Sequence, residues 1–205
     1  MENKNYQEDL QHIRKMMEKS SRFISLSGIS GVFAGLFALA GAIYVYFFFK
    51  KNGVDYFEGT VKYYEKDFIV HLVIVAMFIM VLAISSGAYL TIKKSKAHHL
   101  QIWDVTTKKL LYNFAIPLGI GGLFCAGLLY HGLHGLLSPA TLIFYGLALF
   151  NAGNYTFSDI KYLGLCEMAL GIVSLFFLGY GLFFWAIGFG VLHIVYGLIM
   201  HKKYK

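Results

Sequence analysis

Long apolar stretches separated by short clusters of lysines and acidic residues run from Phe23 to His201. They fall at about 23–49, 68–92, 110–130, 140–155, 162–179 and 181–200. An α-helix needs roughly 20 apolar residues to cross a bilayer. The pattern therefore predicts an all-α integral membrane protein of six transmembrane helices, with 140–155 the shortest. Ahead of them, Tyr6, Leu10, Ile13 and Met17 recur at helical spacing among charged residues. Residues 1–22 are expected to form a cytoplasmic amphipathic helix lying on the membrane surface or binding a partner. Residues 23–205 then form the membrane domain.

Within the apolar stretches, small residues recur at spacings of three and four. Ser27, Gly31, Gly35 and Ala38 mark one stripe, Glu167, Gly171 and Ser174 a second, and Ala186, Gly190, His193 and Gly197 a third. Such stripes let helix backbones approach closely where lipid supplies no hydrophobic drive for association. Gly28-Ile29-Ser30-Gly31-Val32-Phe33, Gly119-Ile120-Gly121-Gly122-Leu123-Phe124 and Gly171-Ile172-Val173-Ser174-Leu175-Phe176 share one pattern. Each stretch is followed by a helix with glycine near its inner end, namely Gly87, Gly153 and Gly197. The repetition predicts three pseudo-repeated helical hairpins.

Composition agrees with lipid as the solvent: at 58% hydrophobic and 14% charged, the 205-residue chain has too little polar surface for a water-soluble globule. The net charge of +7 comes from basic residues flanking the spans, which argues against nucleic acid as a partner. Fourteen Lys and Arg fall on the side shared by both termini and the 93–109 segment, against four on the other. The positive-inside rule then places both termini in the cytoplasm, which requires an even number of spans. Cys125 and Cys166 both fall within spans and read as buried thiols.

Candidate chemistry is sparse. Glu167 and His193 sit on small-residue stripes and so should face the bundle interior, about 9 and 12 Å from the cytoplasmic ends of their helices. An acidic residue in a span costs on the order of 3 kcal/mol on insertion scales and is usually retained beside a partner or water. Ser27, Ser30, Ser85, Ser86, Asn151 and Asn154 occupy the inner parts of other spans. Together these residues outline a cytoplasm-facing polar pocket for a small solute, an ion or a proton. The alternative is that they only stabilise packing. On the outer side His131 and His134, with His71, are candidate ligands for zinc or another divalent cation. Ser85-Ser86-Gly87 with His193 as base leaves an intramembrane hydrolase open, although the glycine two positions ahead of Ser86 is missing, and the chain reads as non-enzymatic.

The three-hairpin pattern, above all Leu170-Gly171-Ile172-Val173-Ser174-Leu175-Phe176 with the tight turn and Gly188 to Gly197 after it, resembles the short-repeat six-span bacterial membrane proteins of the HdeD acid-resistance family. The resemblance covers the spans only and rests on packing residues. It implies a bacterial inner-membrane location and a stress-related role, and transfers no functional site. In length, span number and orientation the chain is also similar to the substrate-binding subunits of energy-coupling vitamin transporters, with Ala34 and Ala38 at their coupling spacing. The expected partners are membrane lipids and either a second copy or another membrane subunit.

Overall fold

The computed structural model describes residues 27–53, 65–97 and 102–204. The expected surface helix at 1–22 lies outside the described residues. All regular structure among the described residues is helical. Helix α1 spans Gly28–Lys51, α2 Lys66–Ala97, α3 Val105–Tyr130, α4 Leu137–Ala152 and α5 Asp159–Leu175. A 3-10 turn at Leu178–Tyr180 leads into α6 at Gly181–Trp185, a π-helical segment at Ala186–Leu192, and α7 at His193–Lys203.

Among the described residues, five helical stretches are long and apolar enough to cross a membrane: Gly28–Lys51, Lys66–Ala97, Val105–Tyr130, His134–Ala152 and Leu178–Lys203. The fourth reaches 19 residues because the 3-10 turn His134–Leu136 runs directly into α4. Helix α5, not α4, is the limiting case. Its 17 residues rise about 26 Å, a little less than the roughly 30 Å hydrocarbon core.

Two helices run past their apolar stretches. Helix α2 carries Lys93, Lys94 and Lys96 on its last turns, and α3 begins at Val105 rather than Leu110. The early start has a local cause: the Asp104 carboxylate caps α3 by accepting from the Thr107 backbone N–H at 2.6 Å and from its hydroxyl at 2.7 Å. The backbone bond, and secondarily the hydroxyl, hold the Asp104 carboxyl below its ordinary value of 3.8.

The helices associate in two groups. Helix α4 packs along α5 and, on its other side, against α3, while α1 packs along α7 and the π segment and carries α2 on its outer side. The π segment and α6 join the groups, because they touch α1 as well as α4 and α5. Helix α5 therefore leans mainly on the helix before it, and the last helix mainly on the first. No residue in the most apolar window of α2 is fully buried.

Glycine makes both long contacts possible. A Cβ on Gly146 would lie 2.6 Å from the Gly164 carbonyl, and one on Gly164 2.6 Å from the Gly146 carbonyl. Gly28 and Gly197 form a matching reciprocal pair between α1 and α7. The repeated motifs are not equivalent in packing, however. Gly28 and Gly171 sit at such contacts, whereas a Cβ on Gly119 would meet nothing within 4 Å.

At one end of the bundle, Leu149, Phe157, Ile160, Leu163 and Met200 form a buried cluster. Beside it, the Lys203 ammonium donates to both Asp159 oxygens at 2.8 and 2.9 Å. The Tyr204 hydroxyl also donates to Asp159, and its ring stacks on Phe157. The start of α5 is thereby fastened to the end of α7. Partial burial works to raise the Asp159 carboxyl, but the bonds from Lys203 and Tyr204 outweigh it and hold the group below its ordinary value.

Backbone contact of this kind cannot relax by rotating a side chain. Gly164→Ala is expected to destabilise the protein by about 1–3 kcal/mol, whereas Gly122→Ala, which has open space around it, should leave thermal unfolding in detergent nearly unchanged. Comparison of the two melting curves checks this.

Candidate functional site

Glu167 and His193, expected from their small-residue stripes to face the bundle interior, lie beside one another. Glu167 lies midway along α5 with 0% exposure, and His193, the first residue of α7, is 6% exposed. The Glu167 Oε1 to His193 Nδ1 distance is 3.4 Å. The carboxylate reaches this position only because residue 188 is glycine: a Cβ there would lie 2.5 Å from Glu167 Oε2 and from a Leu142 methyl.

The imidazole has two closer partners. Its Nδ1 is 3.0 Å from the Gly188 carbonyl oxygen, and its Nε2 is 2.8 Å from the Tyr145 hydroxyl. A carbonyl oxygen can only accept, so Nδ1 carries a proton. In the neutral ring Nε2 is then the acceptor for the Tyr145 O–H. Aromatic rings close the surroundings, with Phe189 stacked near His193 at 6.0 Å and packed against both Tyr145 and Trp185.

Neither Glu167 oxygen has a hydrogen-bond partner among the described residues, and the His193 Nδ1–H beside it is directed at Gly188. A carboxylate buried this way is tolerated in an apolar medium only with a proton or a cation beside it. The arrangement of least charge is a neutral imidazole next to a carboxylic acid. Ser174, two turns further along α5, is likewise fully buried with its hydroxyl unsatisfied among the described residues.

The remaining expected pocket residues do not join this cluster. The Ser30 hydroxyl donates to the Ser27 carbonyl, that of Ser86 to Ala83 at 3.0 Å, and the Asn154 amide to the Asn151 carbonyl at 3.1 Å. Ser85 is exposed on α2. Short polar side chains near helix ends reach the carbonyl of the preceding turn, so they need no partner across the bundle. The shared polar vestibule read from Ser27, Ser30, Ser85, Ser86, Asn151 and Asn154 is thus not assembled around Glu167. With its hydroxyl turned to Ala83, Ser86 does not meet His193 either.

The histidine set expected to hold a metal is also not brought together. His71 accepts or donates at 2.9 Å with the Tyr44 hydroxyl and stacks on Phe48 at 4.3 Å, while His131 lies edge-on to Tyr130. Among the described residues no three metal-ligating side chains converge. The reason is topological: α2 packs on α1, whereas the turn carrying His131 and His134 belongs with α3 and α4.

Two participants were missed in the sequence: Tyr145 and the π segment. A signal for the first existed, since Tyr145 shares a helical face with Leu142, Ala148, Leu149 and Ala152, which in the structure are buried on α4, while Tyr145 itself is half-buried. The tyrosine is the single member of that face with a polar tip. No residue pattern in Ala186–Leu192 distinguishes a π from an α register.

No protein-family model, no curated protein and no solved structure matches this chain.

The pairing of Tyr145 with His193 carries a direct consequence. Tyr145→Phe leaves Nε2 of a buried ring without a partner, which should cost about 1–3 kcal/mol. Tyr145→Phe combined with His193→Phe should cost less than the sum of the two single changes, as read from a double-mutant cycle of thermal or denaturant unfolding.

Proposed function

We propose that this chain is a six-span protein of the bacterial inner membrane, with both termini cytoplasmic, that binds and moves a proton. The observation carrying this reading is the Glu167 carboxyl, fully buried, unpartnered among the described residues, and 3.4 Å from His193 Nδ1. Of the three cargoes the sequence leaves open, a proton asks least of the site: a proton needs no cavity, whereas a solute or a hydrated ion does.

In this reading α5, at 17 residues, is the remaining crossing. The charge asymmetry of Lys and Arg orients it. The resemblance to the HdeD acid-resistance family is in keeping with a proton-linked role under stress. No nucleophile with a base beside it is part of the reading, so the proposed protein is not an enzyme.

A second reading has its own support. Because Ser30, Ser86 and Asn154 bond to their own backbone, the protein can equally serve as an accessory membrane subunit. Glu167, His193 and Tyr145 would then only join the two helix groups.

Glu167→Gln separates the two. Proteoliposomes loaded with a pH-sensitive dye should acidify under an imposed potential, and the variant should lose that flux at least tenfold while keeping a cooperative thermal transition. Absence of flux from the wild type, together with a changed melting temperature in the variant, favours the accessory role.

A further inference from the structure

The Glu167 carboxyl is fully buried, and the polar side chain beside it is His193. An imidazole can take a proton at one ring nitrogen and release one from the other. Here the two nitrogens have different neighbours: Nδ1 faces Glu167 Oε1 at 3.4 Å, and Nε2 lies 2.8 Å from the Tyr145 hydroxyl. A proton travelling to or from the acid through the ring therefore passes by Tyr145.

Two more tyrosines mark the way from there to the end of the bundle. Tyr145, Tyr196 and Tyr204 all pack on the buried cluster of Leu149, Phe157, Ile160, Leu163 and Met200. His193 and Tyr196 stand one turn apart on the same face of α7. The Tyr196 hydroxyl is buried and has no hydrogen-bond partner among the described residues, while Asp159 and Tyr204 act on it electrostatically. Tyr204 donates to Asp159, which also holds the exposed Lys203 ammonium at the bundle end. In the other direction α5 offers no such series. Its next polar side chain is Ser174, about 10 Å further along the axis, and Gly171 between them is packed tightly against Ile143, Leu142 and the Pro139 carbonyl.

We infer that Tyr196 carries protons between water at the Asp159 end of the bundle and the Glu167–His193 pair. The inference rests on the proposed proton-binding role of Glu167, and in the proposed orientation this end is cytoplasmic. A buried hydroxyl without a protein partner is a place for ordered water, which links Tyr196 to Tyr145.

Loading starts with Glu167 ionised. A hydronium ion at the bundle end becomes water by giving a proton to the Tyr196 oxygen, as Tyr196 passes its own hydroxyl proton inward through that water to the Tyr145 oxygen. Tyr145 in turn gives its hydroxyl proton to Nε2. Each tyrosine gains one O–H bond as it loses one, so neither becomes charged, and the net change is one new Nε2–H bond. The imidazolium faces the carboxylate, whose negative charge favours it. Transfer of the Nδ1 proton to Oε1 then leaves a neutral ring beside a carboxylic acid. Unloading runs the same steps backward.

Tyr196→Phe isolates this role, because the hydroxyl it removes bonds to nothing among the described residues and folding should not depend on it. In dye-loaded proteoliposomes the variant should slow proton flux on the order of tenfold or more, with a melting temperature no lower than that of the wild type. Tyr162→Phe, at an exposed tyrosine of α5, should conduct as the wild type does. Flux that is lost in Glu167→Gln but kept in Tyr196→Phe overturns the route and leaves the proton site standing. A fall in melting temperature that accounts for the slower flux of Tyr196→Phe also overturns it, since the hydroxyl would then be structural. Absence of wild-type flux, or flux indifferent to Glu167→Gln, ends the proton-binding reading and the route with it.

Discussion

Burial of one carboxyl group in an apolar bundle governs the interior of this protein. Glu167 lies where neither lipid nor water can solvate it, and the structure around it is arranged accordingly. Glycine at 188 leaves it space, an imidazole stands beside it, and a tyrosine holds that imidazole from the other side. Three elements, α4, α5 and the π-to-α7 junction, must be in register for this to occur. The polar cluster thereby specifies how the two helix groups meet, a constraint that apolar packing alone would leave loose.

Packing in lipid explains the rest. Without a hydrophobic force between helices, association relies on close van der Waals contact, and contact is closest where glycines from both partners coincide. Gly146 with Gly164, and Gly28 with Gly197, set the α4–α5 and α1–α7 interfaces. Helix α2, no residue of whose most apolar window is fully buried, packs mainly on α1 among the described residues. At the bundle end, the Asp159, Lys203 and Tyr204 contacts fasten α5 to α7 where water can solvate charge.

Much of this was legible beforehand, and unevenly. Apolar length announced the helices and the membrane. The stripe containing Glu167, Gly171 and Ser174 pointed its members inward, and all three are buried. His193 reaches Glu167 for the same reason. By contrast, Ser86 and Asn154 looked like pocket residues, yet their side chains engage their own helices. A serine facing a cavity and a serine bonded to its own backbone leave the same trace in a sequence. Tyr145 was overlooked because one tyrosine among fifteen in an apolar chain carries no distinguishing mark until its neighbour is known.

The sequence by itself determined that the chain is helical and apolar enough for a membrane, since those properties depend on local composition and on the length of unbroken apolar runs. It also marked which helix faces are narrow enough to pack, because the spacing of small residues is a property of one helix. Only the tertiary structure decided which faces meet: α5 on α4, and the last helix on the first. It alone placed Tyr145 against His193, kept the three histidines apart, and put a π turn beside the buried acid. Those outcomes depend on contacts between residues far apart in the chain, and no local pattern encodes the choice among several glycine-lined faces of nearly equal fit.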